Sequence, residues 1–161
     1  MARKKSRPAK KWSLYPGCHG QVSSLLAQED LFFDFNDDDD DKTCMKSYDT
    51  KIMCRFVCRN RACTAERYGW ESTKIAITLR MYRGATYNAR VYSQRCKHYN
   101  LVSSPILDDS YSERVANRIK TWCGVKLNLT SRKGEGKGHH IRRACEGCRD
   151  GHCRESEDRA T

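Results

Sequence analysis

The spacing of cysteines and histidines in the last part of the chain constrains its fold more than any other feature. The segment from His140 to Cys153 follows the pattern H-x₄-C-x₂-C-x₄-C. Zn²⁺ prefers four ligands at tetrahedral corners, and two cysteines separated by a short turn present both sulfurs to one ion. The pattern therefore predicts a metal-built domain in which His140, Cys145, Cys148 and Cys153 are ligands.

A second group of cysteines lies upstream, and a predicted hairpin brings its members together. Four residues separate Cys58 from Cys63, a spacing acceptable in a zinc knuckle. Apolar and polar residues alternate over 74–81 and again over 87–91, with Arg-Gly-Ala as a turn between them, which predicts a β-hairpin. We expect this hairpin to return Cys96 to the neighbourhood of Cys58 and Cys63, as in a zinc ribbon.

The residues leave the partition of these ligands between sites open. Either the four C-terminal ligands hold one ion by themselves, or the sites are cross-braced and Cys145 and Cys148 complete the site of Cys58 and Cys63. The isolated cysteines are expected to be small buried apolar residues instead. They are Cys18, Cys44 and Cys123.

The composition supports zinc as a structural staple. Only 38% of the 161 residues are hydrophobic and the mean hydropathy is −0.86, so the core is thin for a chain of this length. Ten cysteines could instead form disulfides, which need an oxidising compartment, but no apolar signal stretch opens the chain. We therefore expect zinc thiolates in an intracellular protein, nuclear or cytoplasmic. No apolar run approaches the length that spans a membrane.

The charge of the chain is unevenly distributed. Residues 1–12 carry +6, residues 13–50 carry −7 and residues 51–161 carry +12, within a net charge of +11. A basic half preceded by an acidic segment suggests a polyanionic partner, or masking of the basic face by the acidic run. In a competing interpretation, part of the positive excess only offsets the negative charge of zinc thiolates. The acidic run itself, Asp37 to Asp41, is expected to be a solvated loop.

Two helices are predicted besides the hairpin. Apolar residues between positions 18 and 33 lie at roughly helical spacing. A second helix is predicted to begin at a capping box formed by Ser110 and Glu113 and to end at Gly124. Its apolar stripe is expected to pack on the core. The stripe consists of Tyr111, Val115, Ile119 and Trp122.

Several motifs together carry a family resemblance. They are Phe56-Val-Cys58-(x₄)-Cys63, Trp70-Glu-Ser72, Tyr87-Asn-Ala-Arg-Val-Tyr92, Gln94-Arg-Cys96-Lys97 and His140-(x₄)-Cys145-Glu-Gly-Cys148-(x₂)-Gly151-His-Cys153. This combination resembles the 3CxxC-type zinc finger of uncharacterised fungal proteins and of animal receptor-transporting and zygote-arrest proteins. The resemblance implies a zinc-binding domain over residues 48–155 with eight ligands and about two zinc ions.

The chain departs from the family pattern at one ligand position. Where the family has a second cysteine after Cys96, this chain has Tyr99, whose phenol is a poor zinc ligand. Two outcomes follow: His98 or Cys54 fills the gap, or this site binds zinc more weakly or keeps an open position. The seven ligands that carry over are Cys58, Cys63, Cys96, His140, Cys145, Cys148 and Cys153.

These observations predict a small α+β domain, a zinc-ribbon-like β-hairpin with one packed helix and zinc-thiolate sites. Residues 1–47 are expected to be a basic arm followed by an acidic, partly ordered extension, and residues 156–161 a disordered tail. No deaminase, HExxH, GxSxG or Walker motif occurs, so we expect neither an enzyme nor a small-molecule substrate.

The expected function is recognition of RNA or another nucleic acid, because cations interleaved with aromatic residues are typical of single-strand binding. The residues in question are Arg55, Arg59, Arg61, Arg80, Arg83, Arg90, Arg95 and Lys97, among Tyr68, Trp70, Tyr82, Tyr87 and Tyr92. In the competing interpretation the aromatic residues pack the core and the arginines solvate it. A protein-interaction or trafficking adaptor is the alternative function, without membrane insertion.

Overall fold

The predicted hairpin lies at the centre of a larger sheet. The computed structural model describes residues 11–57, 70–96, 101–103, 105–127 and 144–153, and it leaves the side chains of 71–73 aside. The strands are β1 (Trp12–Ser13), β2 (Asp34–Phe35), β3 (Lys46–Phe56), β4 (Trp70–Tyr82), β5 (Thr86–Tyr92), β6 (Gln94–Arg95), β7 (Val102–Ser103) and β8 (Pro105–Leu107). The helices are α1 (His19–Ala27), α2 (Asp109–Trp122) and α3 (Glu146–Arg149), with a 3₁₀ turn at Pro16–Cys18.

The main sheet has the order β1-β5-β4-β3-β8 and is antiparallel along that path. Strand β2 also pairs with β5, in parallel, so two short N-terminal strands share the outer edge of β5. The turn between β4 and β5 contains Gly84 and Ala85, both at positive φ. Strands β6 and β7 form a separate two-stranded sheet. The architecture confirms the α+β prediction.

One face of the main sheet, the inner face, carries the apolar core. Successive residues of a strand point to opposite faces of the sheet, so alternate residues share a face. On β4 the alternate residues Ile75, Ile77, Leu79 and Met81 all belong to the same buried cluster. Helices α1 and α2 cover this face. The helix residues in the cluster are Val22, Leu26, Tyr111, Val115, Ala116 and Ile119. The predicted helix stripe is therefore confirmed as core, with Trp122 packed at its margin.

Helix α2 does not begin at the predicted capping box. Its N-cap is Asp108, whose carboxylate accepts a hydrogen bond of 2.8 Å from the backbone N–H of Ser110. The Ser110 hydroxyl is engaged elsewhere, because it donates to the carbonyl of Met53 and accepts from the N–H of Met53. Strand β3 changes register between Ile52 and Cys54. Ser110 thus ties the helix to this irregularity, and the capping-box prediction was wrong.

The opposite face of the sheet, the outer face, is polar and is covered by two segments of chain. One is the acidic strap, which we define as residues 36–41, and the other is the segment 145–153. Asp37, Asp38 and Asp41 are exposed, as a solvated loop predicts. Asp39 is also accessible, with 32% of its side chain exposed, but it forms ion pairs with Arg80 and Arg90 of the sheet. The strap is therefore docked on the sheet through one of its five aspartates.

The N-terminal part of the chain contributes to the same structural unit. Residues between Trp12 and Phe35 supply β1, α1 and β2, and Val22 and Leu26 are fully buried in the core. None of the helices in the described ranges is long and apolar enough to cross a membrane.

The cap of α2 gives a first testable prediction. Asp108→Ala should lower the free energy of unfolding by about 1 kcal/mol, because the first turn of the helix loses a hydrogen-bond acceptor. Asp109→Ala is the matched control: it also removes one carboxylate from this helix end, and it should cost only about 0.3 kcal/mol through the helix dipole. Chemical denaturation measures both. Equal losses would mean that charge, and not the cap, stabilises the helix start.

Candidate metal centre

Three of the predicted zinc ligands lie together in one tight turn. We call residues 145–153 the thiol turn. The Sγ atoms of Cys145, Cys148 and Cys153 all lie within 4.8 Å of one another. A Zn–S distance of about 2.3 Å places the sulfurs of a tetrahedral site roughly 3.8 Å apart. The three thiols are therefore close enough to share one zinc ion.

The local conformation explains why the sulfurs converge. Cys145 is the N-cap of the one-turn helix α3, and its Sγ accepts a hydrogen bond of 3.4 Å from the backbone N–H of Cys148. The chain then reverses at Gly151, which has φ +76°, a conformation that glycine adopts without strain. This reversal brings Cys153 back to Cys145. The C-x₂-C-x₄-C spacing thus closes on itself as the sequence predicts.

The thiols are shielded from solvent. Cys145 is 1% exposed and Cys153 is 4% exposed, while Cys148 is half-buried. The hydrogen bond with Cys153, together with burial, raises the pKa of Cys145 above that of an ordinary thiol. Zn²⁺ reverses this preference because it binds the thiolate form. The donor set and its enclosure fit a structural zinc ion.

The thiol turn is seated directly on the outer face of β4. A Cβ atom added to Gly147 would overlap the Cβ of Ala76 and would lie 3.5 Å from the ring of Tyr92. Backbone contacts reinforce this seat. Cys145 forms an isolated antiparallel bridge with Gln94, and the N–H of Glu146 donates to the carbonyl of Ser93 at 3.2 Å. The three thiols therefore have a fixed position relative to the sheet.

An ion pair with a buried carboxylate joins the thiol turn to β6. Glu146 is 0% exposed, and its Oε1 accepts a hydrogen bond of 2.5 Å from Nε of Arg95. Removing one partner of such a pair leaves an uncompensated charge in a low-dielectric site. Glu146 directly follows Cys145 and Arg95 directly precedes Cys96. The pair therefore links the thiol turn to the strand end that carries another predicted ligand.

A further contact between the thiol turn and the sheet involves His152, a residue that the sequence did not predict to be part of the site. His152 Nδ1 lies 3.0 Å from Oδ2 of Asp49 on β3, and its ring stacks on Tyr92 with centroids 5.9 Å apart. The hydroxyl of Thr78 donates to the other oxygen of Asp49 at 2.6 Å. In the sequence, the only signal was the position of His152 between Gly151 and a predicted ligand.

The remaining predicted ligands do not belong to this three-thiol group or lie outside the described residues. Cys96 is buried at the end of β6, where its backbone N–H donates to the carbonyl of Leu101. Cys54 belongs to the apolar core of the inner face, and burial raises the pKa of its thiol. Four predicted positions fall outside the ranges that the structure describes. They are Cys58, Cys63, His98 and His140.

The isolated cysteines have mixed environments. Cys18 packs against the core of the inner face, Cys44 is half-buried three residues after the acidic run, and Cys123 is exposed. The expectation of small buried apolar residues therefore holds in part for Cys18 and is wrong for Cys123, which lies just after the last residue of α2.

The close contact of Gly147 generates a prediction about metal affinity. Gly147→Ala should weaken zinc binding roughly tenfold or more, because the added methyl group displaces the thiol turn from β4 and supporting contacts of this kind tune metal sites. Competition with a chromophoric chelator measures the affinity. Gly20→Ala is the control, because a Cβ at this exposed position of α1 meets no atom within 4 Å. Equal zinc affinities for the two variants would contradict the role of the contact.

The ligand set generates a second prediction. Cys153→Ser should bind one zinc ion fewer than the unmodified protein, because a serine hydroxyl does not supply the thiolate that Zn²⁺ prefers. Cys123→Ser should retain the full number, since Cys123 is exposed and stands outside the thiol turn. Native mass spectrometry counts the ions directly. An unchanged count for Cys153→Ser would remove Cys153 from the site.

Comparison with known proteins identifies the family. No curated protein and no solved structure matches the chain significantly. A family model does match it over residues 51–151, a span that contains the hairpin, α2 and most of the thiol turn. That model is the 3CxxC zinc ribbon, described as a zinc-binding domain. The chain therefore belongs to the 3CxxC zinc-ribbon family of zinc-binding domains.

Proposed function

We propose that this protein is a non-enzymatic recognition module, built around structural zinc, that binds RNA or another single-stranded nucleic acid. The observation that best supports this proposal is an enclosed thiol turn within a strongly basic chain. Zinc joins the thiols of the thiol turn, and the contacts of that turn with Ala76 and Arg95 connect it to distant parts of the chain. The protein contributes the thiols that hold the ion, and the sheet that fixes their position.

A structural role for zinc is supported by the enclosure of its ligands. Catalytic zinc keeps an open coordination position for water or substrate. Here Cys145 and Cys153 are nearly fully buried, and Gly147 closes the turn against Ala76. The sequence offers His140 as the fourth ligand, which would complete the coordination. The domain should then depend on the ion for stability rather than use it in a reaction.

Nucleic acid as the partner is supported by charge. The net charge is +11, and residues 51–161 alone carry +12. Phosphate contacts by Lys and Arg supply most of the affinity in non-specific nucleic-acid binding. Exposed cations are spread over several elements of the described ranges. They include Lys46, Arg55, Arg83, Arg114, Lys126 and Arg149.

The structure leaves fewer possible modes of binding than the sequence alone suggests. Tyr82, Tyr87 and Tyr92 are buried, so these three rings pack the protein and do not offer platforms for bases. Trp70 is half-buried and stacks on Phe56 with centroids 5.2 Å apart. We therefore propose contacts to the phosphate backbone rather than base stacking on these residues, and a weak preference among sequences.

This proposal predicts binding that falls steeply with salt. Fluorescence anisotropy with a labelled single-stranded RNA should show an affinity whose logarithm decreases by about 0.7 per phosphate contact for each tenfold rise in salt. Protein stripped of zinc with a chelator is the control, and it should lose binding as the domain unfolds. Absence of binding, or binding that does not respond to salt, would contradict the proposal.

The same measurement distinguishes nucleic-acid binding from the alternative function, a protein-interaction or trafficking adaptor. Two observations favour it: Arg80, Arg90 and Arg95 are already paired with carboxylates, and a few large apolar side chains are exposed. Phe32 is 73% exposed and Ile106 on the edge strand β8 is 58% exposed. Salt-independent behaviour toward RNA, combined with protein partners that remain bound after nuclease treatment, would favour the adaptor.

A further inference from the structure

We propose that Arg80, Arg90 and Trp12 form a phosphate-binding pocket on the outer face of the sheet, and that Asp39 of the acidic strap occupies it in the unbound protein. The ligand is a phosphate group, and its source is the backbone of a bound nucleic-acid strand. The source rests on the proposed function, whereas the pocket itself rests on the contacts of these four residues.

Three donors from three different strands converge on one carboxylate. Nε1 of Trp12, on β1, donates to Oδ2 of Asp39 at 2.7 Å. Nε of Arg90, on β5, donates to Oδ1 at 2.6 Å, and Nη2 of Arg80, on β4, bonds the same oxygen. The guanidinium of Arg90 also lies over the Trp12 ring, 4.5 Å from its centroid. The sheet thus presents a preformed anion site.

The pocket contains more donors than the carboxylate can satisfy. Arg80 is 2% exposed, and its Nε and Nη1 have no hydrogen-bond partner within the described residues. A buried donor without an acceptor is costly. Both oxygens of Asp39 are already engaged, whereas a phosphate group brings additional acceptor oxygens and pairs with guanidinium groups in a two-pronged geometry. Phosphate therefore suits this site better than the carboxylate that fills it.

The strap holds Asp39 in the pocket through a few contacts to its backbone. Nδ2 of Asn88 donates to the carbonyl of Asp38 at 2.8 Å and to that of Asn36 at 3.3 Å. The hydroxyl of Tyr82 donates to the carbonyl of Asp40. These bonds position the strap without burying its other carboxylates. Release of the strap breaks these hydrogen bonds, the one of 2.8 Å from the N–H of Asn36 to the carbonyl of Tyr87, and those of Asp39 itself.

Asp39 is a charged occupant at neutral pH. Burial raises its pKa, but hydrogen bonds from Trp12, Arg90 and Arg80 outweigh that effect, so the pKa lies below its usual value. Leaving the buried Arg80 without any anion would be strongly unfavourable. The strap should therefore be released only when another anion replaces Asp39, so phosphate binding and release of the strap are one exchange.

The first experiment compares two variants with the same change in net charge. Asp39→Asn should bind single-stranded RNA more tightly than the unmodified protein. Its salt dependence should steepen by about 0.7 for each arginine that gains a phosphate contact. Asp37→Asn, at an exposed position of the same strap, should leave the slope nearly unchanged. Equal slopes for the two variants would show that only overall charge matters and would overturn the pocket.

A second variant keeps the proposal testable if Asp39→Asn fails to fold. Tyr82→Phe removes the hydroxyl that holds the carbonyl of Asp40, and it changes no charge. It should raise the affinity for the same RNA by a smaller factor than Asp39→Asn, because the strap is loosened while Asp39 remains. Zinc content and circular dichroism confirm that each variant is folded. An affinity of folded Tyr82→Phe equal to that of the unmodified protein would contradict masking by the strap.

Inorganic phosphate tests the pocket independently of nucleic acid. In Asp39→Asn, added phosphate should shift the NMR signal of the Trp12 indole N–H, and the shift should disappear when Arg90→Gln is also introduced. If phosphate shifts this signal but no variant binds RNA, the pocket stands, its phosphate comes from another source, and the proposed function fails. If phosphate leaves the signal unmoved and all variants bind RNA with one slope, the pocket is wrong and the proposed function stands.

Discussion

The contact between Gly147 and Ala76 determines where the metal ligands lie. A helix of four residues such as α3 has no stability of its own, so the thiol turn depends on the sheet beneath it and on the ion it can hold. Because Gly147 lacks a side chain, the backbone approaches β4 closely enough for Glu146 to reach Ser93 and Arg95. The zinc site and the sheet are therefore parts of one packing arrangement, which compensates for a thin apolar core.

Local patterns made several elements predictable. Strict alternation over 74–81 and 87–91 predicted the hairpin, and the apolar stripe from Tyr111 predicted the buried face of α2. The C-x₂-C-x₄-C spacing predicted the convergence of Cys145, Cys148 and Cys153, because a turn of a few residues closes without help from distant parts of the chain. In each case the signal is contained in fewer than twenty consecutive residues.

Contacts between distant residues were not predictable in this way. His152 and Asp49 meet although 103 positions separate them, and nothing in either local sequence indicates the other. The cap of α2 shows a related difficulty, since both Asp108 and Ser110 are good N-cap residues. Only the neighbouring strand decides between them, because the Ser110 hydroxyl is taken up by Met53. Local chemistry limits the choices, and tertiary contacts select among them.

The arginines show why the number of Lys and Arg residues overstates how many cations are free to bind an external anion. A sum over the sequence counts Arg80, Arg90 and Arg95 as available cations, yet each is paired with a carboxylate inside the fold. Arg95 offsets the buried carboxylate of Glu146, which is part of the thiol turn, so the charge of Arg95 is committed to the structure. Arg80 and Arg90 face Asp39, which belongs to a strap attached by a few hydrogen bonds. The two kinds of pair differ in what can replace the acid: Glu146 lies inside the packed turn, whereas Asp39 lies where an external anion can reach the same donors.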